Sequence, residues 1–157
     1  MTFSPKCDRA FGVLADERLP LRARSCERAS EFGFALLLRF VQLEAALKIL
    51  RYWQMTKDGW PDRLDFLQAN WTPLRDLKAS DPARYASLIG AGGRSLREMR
   101  NRIAHEGHSF HESEYVALAG VAEWALIELR ARLPARHDVR TKVARVRNRP
   151  VKAKEPS

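Results

Sequence analysis

Leu36-Leu37-Leu38-Arg39-Phe40-Val41-Gln42-Leu43-Glu44-Ala45-Ala46-Leu47-Lys48-Ile49-Leu50 decides the fold class. Leu36, Phe40, Leu43, Leu47 and Leu50 recur at spacings of four, three, four and three. Side chains so spaced lie along one face of an α-helix and form a packing seam. Leu37, Val41, Ala46, Ile49 and Trp53 widen the apolar surface beyond that seam. A helix this broadly apolar belongs in the middle of a bundle or at a subunit interface. Its start is expected at Ser25 or Ser30, acting as cap, and its end near Lys57, with Gly59 and Pro61 breaking it.

The flanks read the same way. Residues 4–18 form an expected first helix, ended by Pro20. Residues 61–80 suggest short helices and turns, with Pro61 and Pro73 suited to first-turn positions. Asp81-Pro82 opens another helix with a cap followed by proline. Gly90, Gly92 and Gly93 interrupt it. Ser95 lies near the start of the next helix, which fades at Gly107, and Ser109 or Ser113 is expected to cap the last long one. Tyr115, Leu118, Ala122, Leu126, Leu129 and Leu133 form the buried stripe of that helix, and Pro134 stops it. Apart from Lys142 to Arg147, no segment alternates apolar and polar residues over strand length. The expectation is all-α: an up-and-down helical bundle over residues 1–133, then a flexible basic tail over 134–157.

A length of 157 residues suits one domain with a real core, and 45% hydrophobic residues fit a globular protein. No apolar run approaches the length of a membrane span, and Lys6, Asp8 and Arg9 interrupt any signal-peptide pattern. Neither membrane contact nor export is expected, so the cytoplasm is the default location. Cys7 and Cys26 are the two cysteines and have no CxxC spacing, which points to reduced thiols rather than a disulfide or a nucleophile. Residues 134–157 hold eight Lys and Arg against two acids, a net +6 of the chain's +9. Such a tail attracts polyanions such as RNA or DNA, or else only solubilises the chain.

Within the helix after Ser95, Arg100-Asn101-Arg102-Ile103-Ala104-His105 carries the chemistry. Leu96, Met99 and Ile103 make the core stripe. At 100° per residue, Asn101 and His105 fall on roughly the opposite side, one turn apart, with Arg100 between the two faces. The histidine therefore avoids the apolar face. A guanidinium able to hold a phosphate and an imidazole able to move protons leave the same stretch of helix. The stretch resembles the signature of the HEPN superfamily. Those are small helical bundles whose motif is Arg, then four to six residues, then His, often with Asn, Asp or His directly after the Arg. Arg100, Asn101 and His105 match it position by position. The resemblance extends in organisation over most of residues 25–133, and in residue detail only over the motif.

That resemblance implies a metal-independent endoribonuclease, with RNA as substrate, no cofactor, and a composite site at a homodimer interface. For the toxin members it also implies a cognate antitoxin protein as partner. In one toxin subgroup a tyrosine stands two residues after the histidine and is modified by the antitoxin. Gly107 occupies that position here, which speaks against such regulation. The residues support a similar mechanism. Cleavage by the RNA's own 2′-hydroxyl needs a base, an acid for the leaving 5′-oxygen, and positive charge on the transition state. His105 suits the proton transfers, since histidine titrates near pH 6.5. Arg100 suits bidentate phosphate binding, and Asn101 would orient His105 or bond a phosphate oxygen. One chain supplies one motif histidine, and two chains related by a two-fold axis supply one for each proton transfer.

Competing readings rest on weaker patterns. Gly90-Ala91-Gly92-Gly93 precedes a helix, but it lacks the Lys-Ser/Thr ending of a P-loop and follows a helix rather than a strand. His105, His108 and His111 with Glu106 and Glu112 suggest a metal, yet His105-Glu106-Gly107-His108 is one residue short of HExxH. Glu44 could orient an active-site arginine, or pair with Lys48 one turn on. Trp53, Trp60, Trp71 and Trp124 could stack bases or simply pack. Arg100 itself could belong to a salt-bridged surface helix, with Glu98 and Glu106 as partners. The alternative function is a non-catalytic helical module that binds a protein or nucleic acid.

Overall fold

The computed structural model describes residues 5–54, 72–90 and 92–147. The expectations for 55–71, including Trp60, Trp71 and the breaks at Gly59 and Pro61, lie outside the described residues, as does the tail from 148. Helices α1 (Pro5–Ala15), α2 (Arg18–Arg28), α3 (Phe32–Gln54), α4 (Thr72–Ser80), α5 (Pro82–Ile89), α6 (Leu96–Glu106), α7 (Glu112–Arg130) and α8 (Arg136–Arg147) follow one another. Among the described residues there is no strand, and the protein is an all-α helical bundle. No helix among them is long and apolar enough to cross a membrane.

The core forms around α3. Leu36, Leu43, Leu47 and Ile49 are fully buried, and Phe40 and Leu50 nearly so. Helices α1, α2, α6 and α7 all pack on α3. Tyr115, Leu118, Ala122 and Leu129 of α7 close the core, while Leu126 and Leu133 are only partly buried against it. Gln42 is a buried polar residue in the middle of this surface. Its amide donates to the carbonyls of Val13 and Asp16, both at 3.4 Å, which ties α3 to the turn between α1 and α2.

The N-terminal helix divides in two. Pro20 does not end the first helix; it is the third residue of the second, α2. The first amides of a helix have no partner inside it, so a proline lacking N–H costs nothing there. Ser25 and Ser30 do not cap α3. Ser25 lies inside α2, and Ser30 ends α2 with φ 60. The Ser30 amide donates to Glu27 at 3.0 Å and the Glu31 amide to Cys26 at 2.8 Å. That pair of bonds is a Schellman ending, built here on a serine where glycine is favoured. Likewise α7 begins at Glu112 behind His111, not at Ser109 or Ser113.

The tail expected to be flexible is helical over 136–147 and docked on the bundle. Val139 of α8 is 1% exposed and packs with Cys7 and Tyr52, with Phe11 and Trp53 at the margin. Arg136 and Arg140 both pair with Asp8 of α1, the second at 3.2 Å. The Lys142 ammonium lies 4.5 Å from the centre of the Trp53 ring and donates to the Trp53 carbonyl. One valine flanked by cations does not read as a docking stripe. It docks because an acid on α1 and an aromatic ring on α3 receive those cations.

Two outcomes follow for stability. Ser30 is exposed, so Ser30→Gly relieves a left-handed side chain without opening a cavity. It should stabilise the protein by about 1 kcal/mol in urea denaturation. The second concerns α8. Burial pushes the Cys7 thiol up to about 12, helped by the Asp8 charge. Burial also raises the Asp8 carboxyl, but its bonds to Arg136 and Arg140 outweigh this and hold it below its ordinary 3.8. A depressed carboxylate contributes stability that is present above pH 3.8 and is lost as the pH falls through the folded value. At neutral pH a thiol-reactive dye should label the half-buried Cys26 faster than the buried Cys7, and Asp8→Asn, by loosening α8, should speed the labelling of Cys7.

Candidate active site

Helix α6 is fixed at both ends. Ser95 is buried and accepts from the Glu98 amide at 3.3 Å. The Glu98 carboxylate in turn accepts from the Ser95 amide at 3.4 Å and the Ser95 hydroxyl at 3.1 Å, a capping box. It also accepts from the Gly93 amide at 2.7 Å. Burial raises the Glu98 carboxyl, and these hydrogen bonds outweigh it and leave the group below its usual range. The Gly93 amide, part of the glycine stretch weighed as a phosphate cradle, is thus occupied by the chain's own carboxylate. Gly107 ends the helix in the left-handed region at φ 63, and its amide donates to Ile103 at 3.2 Å.

Between these ends Leu96 and Met99 are buried and Ile103 is half-buried. Gly33 of α3 faces the end of α6, with room for an ordinary side-chain contact. A Cβ on Gly33 would stand 3.5 Å from both the Ile103 Cγ2 and the His108 carbonyl. Seven residues along α3, the Arg100 guanidinium lies over the Phe40 ring, 5.4 Å from its centre. Helix α6 therefore runs antiparallel to the first half of α3. Nη1 of Arg100 donates to the Asn101 Oδ1 at 3.0 Å. Asn101 and His105 are exposed, one turn apart on the outer face. The structure thus brings Arg100 and Asn101 into contact and leaves His105 one turn beyond Asn101, without a side-chain hydrogen bond to either among the described residues.

The alternative partners are engaged elsewhere. Glu98 is held by the cap, and Glu106 pairs with Arg102 at 3.6 Å. Arg102 also contacts His108 Nδ1 at 3.3 Å, and the His108 ring meets Phe110 edge-on at 5.1 Å. His108 thus fastens the loop after α6, while His111 stands exposed at the α7 N-cap. Among the described residues no three His, Cys, Asp or Glu side chains converge as metal ligands would. Glu44 pairs with Lys48 at 3.0 Å. Arg84 lies 5.9 Å from the Trp124 ring centre, and Trp53 carries Lys142, so both tryptophans serve packing.

A buried-edge cluster escaped the sequence reading. Glu27 of α2 accepts from Arg39 Nη2 of α3 at 2.6 Å and from the Tyr115 hydroxyl of α7, and Arg39 Nε donates to that hydroxyl at 2.9 Å. Burial, then the Glu27 bond, push the Tyr115 hydroxyl up to about 12. The Tyr115 ring stacks on Phe32 with centres 5.2 Å apart. Glu27, Arg39 and Tyr115 lie 12 and 76 positions apart along the chain, so no local pattern joins them. The cluster locks the start of α3, against which the end of α6 rests.

Comparison of the chain with protein-family models, with characterised proteins and with solved structures finds no match.

The αL geometry of Gly107 sets one expectation. A Cβ there meets no neighbour within 4 Å, so only backbone strain opposes it. Gly107→Ala should cost about 1 kcal/mol and fray the turn that carries His105. Amide hydrogen exchange should show faster opening at residues 104–107, with the start of α6 unchanged.

Proposed function

We propose that the protein is a cytoplasmic, metal-independent endoribonuclease of HEPN type, working as a homodimer, with the toxin of a toxin–antitoxin or antiviral system as its setting. The observation that carries this reading is the arrangement on α6. An arginine held on an aromatic ring is bonded to an asparagine, and an exposed histidine stands one turn beyond that asparagine on the outer face of the helix. A salt-bridging surface arginine would sit against a carboxylate, and among the described residues none pairs with Arg100.

In this mechanism Arg100 grips the scissile phosphate through its fork of N–H donors. Asn101 steadies that guanidinium and offers its amide to a phosphate oxygen. His105 of one subunit takes the 2′-hydroxyl proton, and the partner's His105 protonates the leaving 5′-oxygen. The O2′–P bond forms as the P–O5′ bond breaks, leaving a 2′,3′-cyclic phosphate. Apolar surface suited to a two-fold contact lies next to α6. Phe34 of α3 is 65% exposed, and Leu37, nearly one turn on, is only half-buried. Burying such a stripe against its copy would bring two copies of the motif together.

The test is cleavage of a single-stranded RNA with chelator present. Wild type should cut it, and His105→Ala and Arg100→Ala should each lose a factor of about 10²–10⁴. Arg100→Lys should recover little, because an ammonium cannot form the bidentate grip. RNA carrying one 2′-deoxy nucleotide at the cut site should resist. Equal cutting of DNA, or activity that needs an added divalent ion, would refute the mechanism.

A further inference from the structure

We infer that the groove between α1 and α3 binds the sugar–phosphate backbone of single-stranded RNA, beside the Arg100–His105 cluster. This rests on the ribonuclease reading and adds the path of its substrate. The groove has a volume of about 360 Å³. Its polar walls are Lys6 and Arg9 from α1 and Glu44 and Lys48 from α3. Three cations against one carboxylate leave it electropositive, and that carboxylate, Glu44, pairs with Lys48 at 3.0 Å. The floor is made of small residues, Ala10 and Ala45, both nearly buried. Small side chains there let a strand come close, while the long cationic ones reach over it from either side.

Position argues for the same occupant. Val41 lines the groove, and its neighbour Phe40 lies under the Arg100 guanidinium. The groove and the candidate site therefore occupy adjoining faces of α3. From Phe40 to Lys48 the helix advances about 12 Å, so the cations of the groove lie within a few nucleotides of Arg100 along α3. A strand held by Arg100 can thus continue along α3 toward Lys48, Arg9 and Lys6. The basic composition of α1 then has a role apart from the C-terminal segment, whose Arg136 and Arg140 are turned onto Asp8.

The experiment is binding of a fluorescent 12-nucleotide single-stranded RNA by anisotropy, from low to moderate salt, in a His105→Ala background that prevents cutting. The double variant Lys6→Gln with Arg9→Gln should bind more weakly. Its plot of log affinity against log salt should be shallower by about 1.4, at about 0.7 for each phosphate no longer neutralised. Glu44→Gln should tighten binding. Arg75→Gln with Lys78→Gln, on the exposed surface of α4, removes the same charge elsewhere and should leave the slope unchanged. If the α1 and α4 variants share the slope of the parent, RNA does not use the groove, while the ribonuclease reading stands. If the parent does not bind RNA at all, both fail.

Discussion

Burial of α3 is the constraint on which the rest of the structure depends. Its apolar surface is too broad for one partner helix, so α1, α2, α6 and α7 must all reach it. That requirement accounts for the polar contacts that look incidental in isolation. Gln42 is buried because α1 and α2 cover it, and it is tolerated because their turn offers two carbonyls. Arg39 crosses from α3 to Glu27 and Tyr115, joining α2 and α7 at the start of the same helix. The stripe left over, with Phe34 and Val41 at its most exposed points, is the surface that these helices do not cover.

Helix α6 is held to this framework in a way that leaves its outer face available. A capping box fixes its start, a left-handed glycine its end, and Leu96 and Met99 its core side. Its end packs near Gly33 of α3, and Arg100 lies over the Phe40 ring. A guanidinium so placed is ordered by packing rather than by a carboxylate that would neutralise it. Because the cap also occupies the Gly93 amide, the anion-binding potential of this region shifts from the glycine loop to Arg100.

Much of the fold was legible because its signals are local. The spacing of Leu36 to Leu50, the Asp81-Pro82 start and the helix start near Ser95 each depend on residues within a turn or two, and all appear as read. The placement of Asn101 and His105 opposite the Leu96–Met99–Ile103 stripe follows from helical period alone. What escaped was non-local. Pro20 reads equally well as a terminator or as a first-turn residue, and only the contacts of α2 with α3 decide. Ser30 adopts a conformation that glycine would have advertised. The docking of α8 depends on Asp8 and Trp53, far away in sequence, as the Glu27–Arg39–Tyr115 cluster depends on three separate helices.

The central claim is that Arg100, Asn101 and His105 form half of an RNA-cleaving site completed by a second copy of the chain. Its most direct test is specific activity measured across a dilution series, alongside the oligomeric state from light scattering or sedimentation. Activity per chain should rise with concentration and saturate in step with the dimer. Activity per chain that stays constant down to concentrations where the protein is a monomer, or none at any concentration, would contradict it.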